Sequence, residues 1–149
     1  MATIRATIEA PAPPEACFNH VADFTTTEAW DPGIRMARRL DDGPLGLGSR
    51  FEVISIIGPL NVPLVYEITT YEPSTRVVLT TRGRTHLGVD DVRFEPTADG
   101  GTHVTWAAEF RLRGPGRLVD PLLGAGFRRV ARAAVAGLRD ALSGLAHAS

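Results

Sequence analysis

The chain has 149 residues, 44% apolar and 22% charged, which suits one folded domain able to bury about 70% of its unfolded surface and excludes a disordered chain. Its 17 acidic residues against 16 cations leave a net charge of -1, so the surplus of positive charge that a nucleic-acid footprint needs is missing. Every cation is arginine, which removes Schiff-base chemistry on a lysine amine.

From Met1 the chain passes into polar and Pro-rich sequence without the apolar stretch of about 7 to 15 residues that marks a signal peptide. No run approaches the roughly 20 apolar residues of a membrane span. Cys17 stands alone and cannot form an internal disulfide. Together these predict a cytoplasmic protein with no integral membrane segment.

Ala2 to Glu9 alternates and is rich in β-branched residues, which predicts an edge strand. Pro13 and Pro14 suit a first helical turn, where a missing N–H costs nothing, and Glu15 complements the helix dipole. A short helix to about Ala22 follows. Thr25 with Glu28 reads as a capping box for a second short helix, ended by Asp31-Pro32-Gly33. From Ile34 the period becomes two, and turn signals bound six runs: 34–40, 50–57, 63–71, 76–81, 86–95 and 103–112. Short turns between consecutive strands favour an antiparallel meander, and Gly88 inside a run predicts a bulge or bend.

After Gly114-Pro115-Gly116 the period changes to about 3.6, with Val119, Leu123, Phe127, Val130, Ala134, Leu138, Ala141 and Leu145 on one stripe. Arg128, Arg129, Arg132 and Arg139 fall opposite. A helix over about 121–143 is expected, with Asp120-Pro121 making either a kink or a start at Pro121 capped by Asp120. Gly124-Ala125-Gly126 is half of a dinucleotide fingerprint in the wrong context and reads better as a place where the sheet comes close.

Alternation also predicts the inward faces, because a one-residue shift would turn every side chain to the other side. Val104, Trp106, Ala108 and Phe110 point in from the last strand; His86, Gly88, Asp90, Val92 and Phe94 from the one before. Phe51, Val53, Ser55, Tyr66, Ile68, Leu79 and Thr81 complete the set. The expected ligand-binding residues are therefore Trp30, Val53, Ser55, Tyr66, Ile68, Leu79, Thr81, Val92, Trp106, Ala108, Leu123 and Phe127.

Asp90, His86 and Tyr66 are the candidate catalytic residues. A carboxylate among Val92, Phe94 and Trp106 should have a raised pKa, which suits a general acid or base; the alternative is a strand residue that reaches solvent or bonds a turn. His86, on the same face, could shuttle a proton, although its place beside the Gly83 turn favours exposure. Tyr66 offers a phenol for orienting a ligand or a bond to backbone. No Gly-x-Ser-x-Gly elbow is present, and His103 faces away from His86 and Asp90, so no metal set and no cofactor are expected. Asp90 and Asp91 face opposite ways and cannot form a dyad.

The run from Ile8-Glu9-Ala10-Pro11 through Ala22-Asp23-Phe24 and Trp30-Asp31-Pro32 to Glu72-Pro73, Phe94-Glu95-Pro96 and Val104-Thr105-Trp106 resembles the START-like (SRPBCC, Bet v 1-like) superfamily, in its polyketide cyclase/dehydrase-like branch. The resemblance covers nearly the whole chain and implies an α+β helix-grip fold. In it, a curved antiparallel sheet of about seven strands wraps a long C-terminal helix, with two short helices after strand 1. It also implies a cavity for a small, largely apolar molecule, in a carrier or sensor or in a cyclase or dehydratase. A monomer or weak homodimer of one domain spanning 1–149 is expected.

Overall fold

The alternating β-branched and aromatic residues form strands β1 (Ala2–Ala10), β2 (Ile34–Arg39), β3 (Arg50–Ile57), β4 (Leu60–Glu72), β5 (Arg76–Arg82), β6 (His86–Pro96) and β7 (Thr102–Leu112). The computed structural model describes residues 2–57, 59–114 and 120–145, with 57 and 120–125 described by backbone only. The strands make one curved sheet in the order β1-β7-β6-β5-β4-β3-β2, each neighbouring pair antiparallel. β1 is thereby carried across to pair with the last strand. The connection is made by α1 (Pro14–Ala22), a 3-10 turn at Phe24–Thr26 and α2 (Thr27–Trp30).

The concave face buries Phe51, Val53, Ile68, Leu79, Val92, Phe94 and Val104 almost completely. α1 closes one end of it. Phe18 packs edge-on against Phe94 and Tyr71, with ring centroids 5.5 and 5.2 Å away, and adds specific aromatic contact to the buried area. The long helix α3 (Asp120–Leu145) lies against this face and also contacts β1, α1 and α2.

Four expectations are corrected. Thr25 and Glu28 form no capping box: Asp23 accepts from the Thr25 amide and hydroxyl, while Glu28 accepts instead from the Ala37 amide 3.1 Å away in β2. Gly88 makes no bulge, because pairing runs through it unbroken on both sides. Its role is steric, since a Cβ there would lie 2.9 Å from Thr81 Cγ2 and 3.0 Å from the Phe110 ring. The register shifts occur instead at Ile34/Met36 and Ile68/Thr70.

The buried stripe of α3 is Ala131, Ala134, Leu138 and Leu142, turned slightly from the predicted one, and Val130 is 42% exposed. Leu123 falls among the side chains not described, and Val119 lies outside the described residues. The close approach is made by Gly137, not by Gly126. A Cβ at Gly137 would sit 1.8 Å from the Trp30 carbonyl oxygen, whereas one at Gly126 would meet nothing within 4 Å. α3 is seated by backbone contact on α2, and that contact sets its rotation.

Alanine at these two glycines should therefore act in opposite directions. Gly126→Ala should stabilise by about 0.5–1 kcal/mol, the ordinary gain in a helix interior. Gly137→Ala should destabilise despite the same gain, because helix and turn must separate. Urea unfolding midpoints decide it: an equal rise in both variants would show that the Trp30 contact is not tight.

Candidate functional site

A cavity of about 470 Å³ lies between the sheet and the N-terminal half of α3, with predominantly apolar walls. Small side chains leave the space open. Ala108 stands directly across the β6–β7 ladder from Asp90, and Ala131 and Ala134 face it from the helix.

Of the expected ligand-binding residues, Trp30, Ser55, Tyr66, Trp106, Ala108 and Phe127 line this cavity. Val53, Ile68, Leu79, Thr81 and Val92 do not; they are buried in close-packed core elsewhere on the same face. Alternation tells which face a residue takes, but not which stretch of that face another element covers. Nothing of the Leu123 side chain is described.

Among the candidate catalytic residues, Asp90 and Tyr66 reach the cavity and His86 does not. The His86 ring stacks on Phe110, a wall residue, and its Nε2 shares a hydrogen bond with Thr81 Oγ1 at 3.1 Å. Asp91, the neighbour of Asp90, faces the other way and pairs with Arg76 at 2.9 Å. His103 is outside too, paired with Glu9.

The structure adds Asp31, which sequence reasoning took only as part of a helix-ending turn. Its Oδ1 accepts from the Gly33 amide at 2.8 Å, which fixes the Asp31-Pro32-Gly33 turn and directs the carboxylate at the cavity wall. Asp90 Oδ1 accepts from Trp106 Nε1 at 3.0 Å. Burial pushes the Asp31 carboxyl up to about 6 against the pull of the Gly33 amide. Burial does the same to Asp90, also to about 6; the Trp106 N–H opposes this and the charge of Asp31 adds to it. The Tyr66 hydroxyl is raised well above its usual value by burial, and then by the charges of Asp90 and Asp31. Tyr66 feels the charges of both carboxylates and Asp90 feels that of Asp31, and all three residues line the same cavity. Among the described residues no group of three or more His, Cys, Asp or Glu side chains is arranged to hold a metal ion.

The profile of the family described as "Polyketide cyclase / dehydrase and lipid transport" matches residues 1–143. The chain belongs to this family. Comparison with curated proteins finds no significant match. Similar solved structures include TTHA0849 of Thermus thermophilus, at 19% identity and a TM-score of 0.78, with 99% of each chain covered. The Zhui aromatase/cyclase of Streptomyces sp. R1128 is 12% identical with a TM-score of 0.76, covering 97% of this chain and 93% of that one. A START superfamily protein of Mycobacterium smegmatis is 16% identical with a TM-score of 0.70, covering 97% and 99%. At these identities the likeness establishes the helix-grip fold and nothing finer. No described helix is long and apolar enough to cross a membrane.

A carboxyl whose pKa is higher folded than unfolded holds its proton more tightly when folded. Stability tied to Asp90 is thus present below its ordinary 3.8 and is lost as pH rises through about 6. His20 and His86, lowered by burial, act oppositely: the stability tied to them is present above their ordinary 6.5 and is lost as pH falls from there through their lowered folded values. The informative quantity is a difference in which they cancel. Asp90→Asn should be more stable than the wild type at about pH 7.5, and the gap should close by about pH 4. Denaturant midpoints across that range check it; a gap independent of pH would show that Asp90 is not strained by ionisation.

Proposed function

We propose that this protein binds a small, largely apolar metabolite in the cavity between sheet and α3, as a carrier or sensor. The observation that carries the reading is the cavity itself. Protein interiors are ordinarily close-packed, and a gap of about 470 Å³ lies in the range of about 300–1,000 Å³ typical of small-molecule sites. Trp30, Trp106, Ala108 and Phe127 offer apolar contact, while Tyr66 and Ser55 offer hydroxyls to orient the ligand. Membership of a family described by both cyclase chemistry and lipid transport is consistent with such a ligand.

One observation favours a second reading, a cyclase or dehydratase. A cavity carboxylate near pKa 6 is poised for general acid–base work at neutral pH, and the Tyr66 hydroxyl could polarise a substrate carbonyl beside it. On that reading, a β-polyketone substrate should be turned over, and Asp90→Asn should lower kcat by about 10² or more. On the carrier reading no turnover depends on Asp90.

The binding reading itself is tested by Ala108→Trp, which puts an indole into the space opposite Asp90. The wild type should bind one equivalent of an uncharged apolar fluorescent probe such as N-phenyl-1-naphthylamine in its native state. The variant should lose about tenfold or more in affinity while still unfolding cooperatively. Undiminished binding would place the probe outside this cavity.

A further inference from the structure

Asp31 and Asp90 bring two carboxylates into an apolar cavity, and no described cation pairs with either. Several described arginines pair with acidic side chains elsewhere: Arg38 with Glu52, Arg39 with Asp41, and Arg76 and Arg93 with Asp91. Arg129 of α3 borders the cavity but is exposed and forms no ion pair with either carboxylate. Both carboxylates are half-buried; drawing an anion out of water without a partner costs free energy, and a charged partner removes part of that cost.

The geometry shows what partner would suit. Each carboxylate commits one oxygen to a fixed donor, Asp31 to the Gly33 amide at 2.8 Å and Asp90 to Trp106 Nε1 at 3.0 Å. Among the described residues, the second oxygen of each has no hydrogen-bond partner, and neither has the Tyr66 hydroxyl, although all three residues line the cavity. That makes three acceptor sites lining one cavity, and a primary ammonium carries three N–H donors. The surrounding walls are aromatic. Trp30 and Trp106 meet edge to face at 5.8 Å, and Phe24 leans on Tyr66 at 4.9 Å. Aromatic faces attract cations, most strongly where water is excluded.

We infer that the cavity selects an apolar amine, its protonated ammonium held by the free oxygens of Asp31, Asp90 and Tyr66 and its hydrocarbon part lying against Phe127 and Val130 of α3. The inference rests on the ligand-binding reading above and names the class of ligand. An apolar carboxylic acid would meet two like charges in the same place. A neutral carbonyl compound would find a donor in Tyr66 and leave both carboxylates unbalanced.

The groups that face the ammonium position are Asp31 from the turn after α2, Asp90 from β6, Tyr66 from β4 and, at greater exposure, Arg129 from α3; His86 is held behind Phe110. With pKa values of about 6, both carboxylates are mostly ionised at pH 7.5 and mostly protonated at pH 4.5. Selectivity for the amine should follow that titration.

Isothermal titration calorimetry with 2-(1-naphthyl)ethylamine and its neutral counterpart 2-(1-naphthyl)ethanol tests the idea. At pH 7.5 the amine should bind about tenfold or more tightly than the alcohol, and at pH 4.5 the advantage should fall to about twofold or less. Asp31→Asn and Asp90→Asn should each reduce the advantage at pH 7.5. Equal affinities at pH 7.5, an advantage untouched by both substitutions, or tighter binding of 1-naphthylacetate would overturn the amine proposal. In those cases the cavity reading stands, provided the alcohol still binds the wild type and loses affinity in Ala108→Trp. Failure of all three probes to bind would overturn both.

Discussion

The seating of α3 on the Trp30 carbonyl, through a glycine that leaves no room for even one more carbon, is the contact on which the rest of the architecture turns. It fixes the rotation of the helix, so that Leu138 and Leu142 are driven into the core while Phe127, Val130 and Ala131 stand over the cavity. The same contact holds the α2 end, and with it Trp30 and Asp31, at the cavity wall. One backbone approach therefore sets both the shape of the cavity and half of its polar chemistry.

The polar chemistry is shaped by contrast with its surroundings. Asp90 and Asp91 are adjacent in one strand, yet strand geometry turns them to opposite faces. Outside, Asp91 receives two hydrogen bonds from Arg76, at 3.1 and 2.9 Å. Inside, Asp90 receives one neutral donor and shares an apolar space with Asp31 and Tyr66. A fold optimised for stability alone would fill this space with hydrocarbon, because buried ionisable groups without partners cost free energy. Among the described residues these carboxylates lack a cationic partner and the Tyr66 hydroxyl lacks a hydrogen bond, and that is the feature on which the proposed ligand rests.

Much of the framework was legible because strand and helix periods are local properties. The run at 50–57 was read to the residue, the others to within a few residues, and the inward sets of β6 and β7 follow from period two once Val92 and Phe94 are assigned to the core. Asp90 and Tyr66 could be placed on the inner face in the same way. Of the bulge or bend read at Gly88 the bulge is absent, because a glycine in a strand also signals a close neighbour, and only the Phe110 ring across the ladder reveals it. The Thr25–Glu28 spacing satisfied a local capping rule, but a long-range bond from Glu28 to β2 outcompeted it.

What the sequence determined by itself was the order and type of the elements, the face of residues in the regular stretches of β6 and β7 and the superfamily, because these depend on short-range sterics and on patterns repeated along the chain. Tertiary structure alone decided where the cavity lies along the concave face. Val53, Leu79 and Val92 obey the same alternation as Ser55, Tyr66 and Trp106, yet they are covered by packed side chains and the latter are not. It alone also brought Asp31 to Asp90, residues from a turn and a strand that lie far apart in the chain. Local patterning carries no information about which distant segments meet; that is set by how α3 and α2 fit together over the sheet.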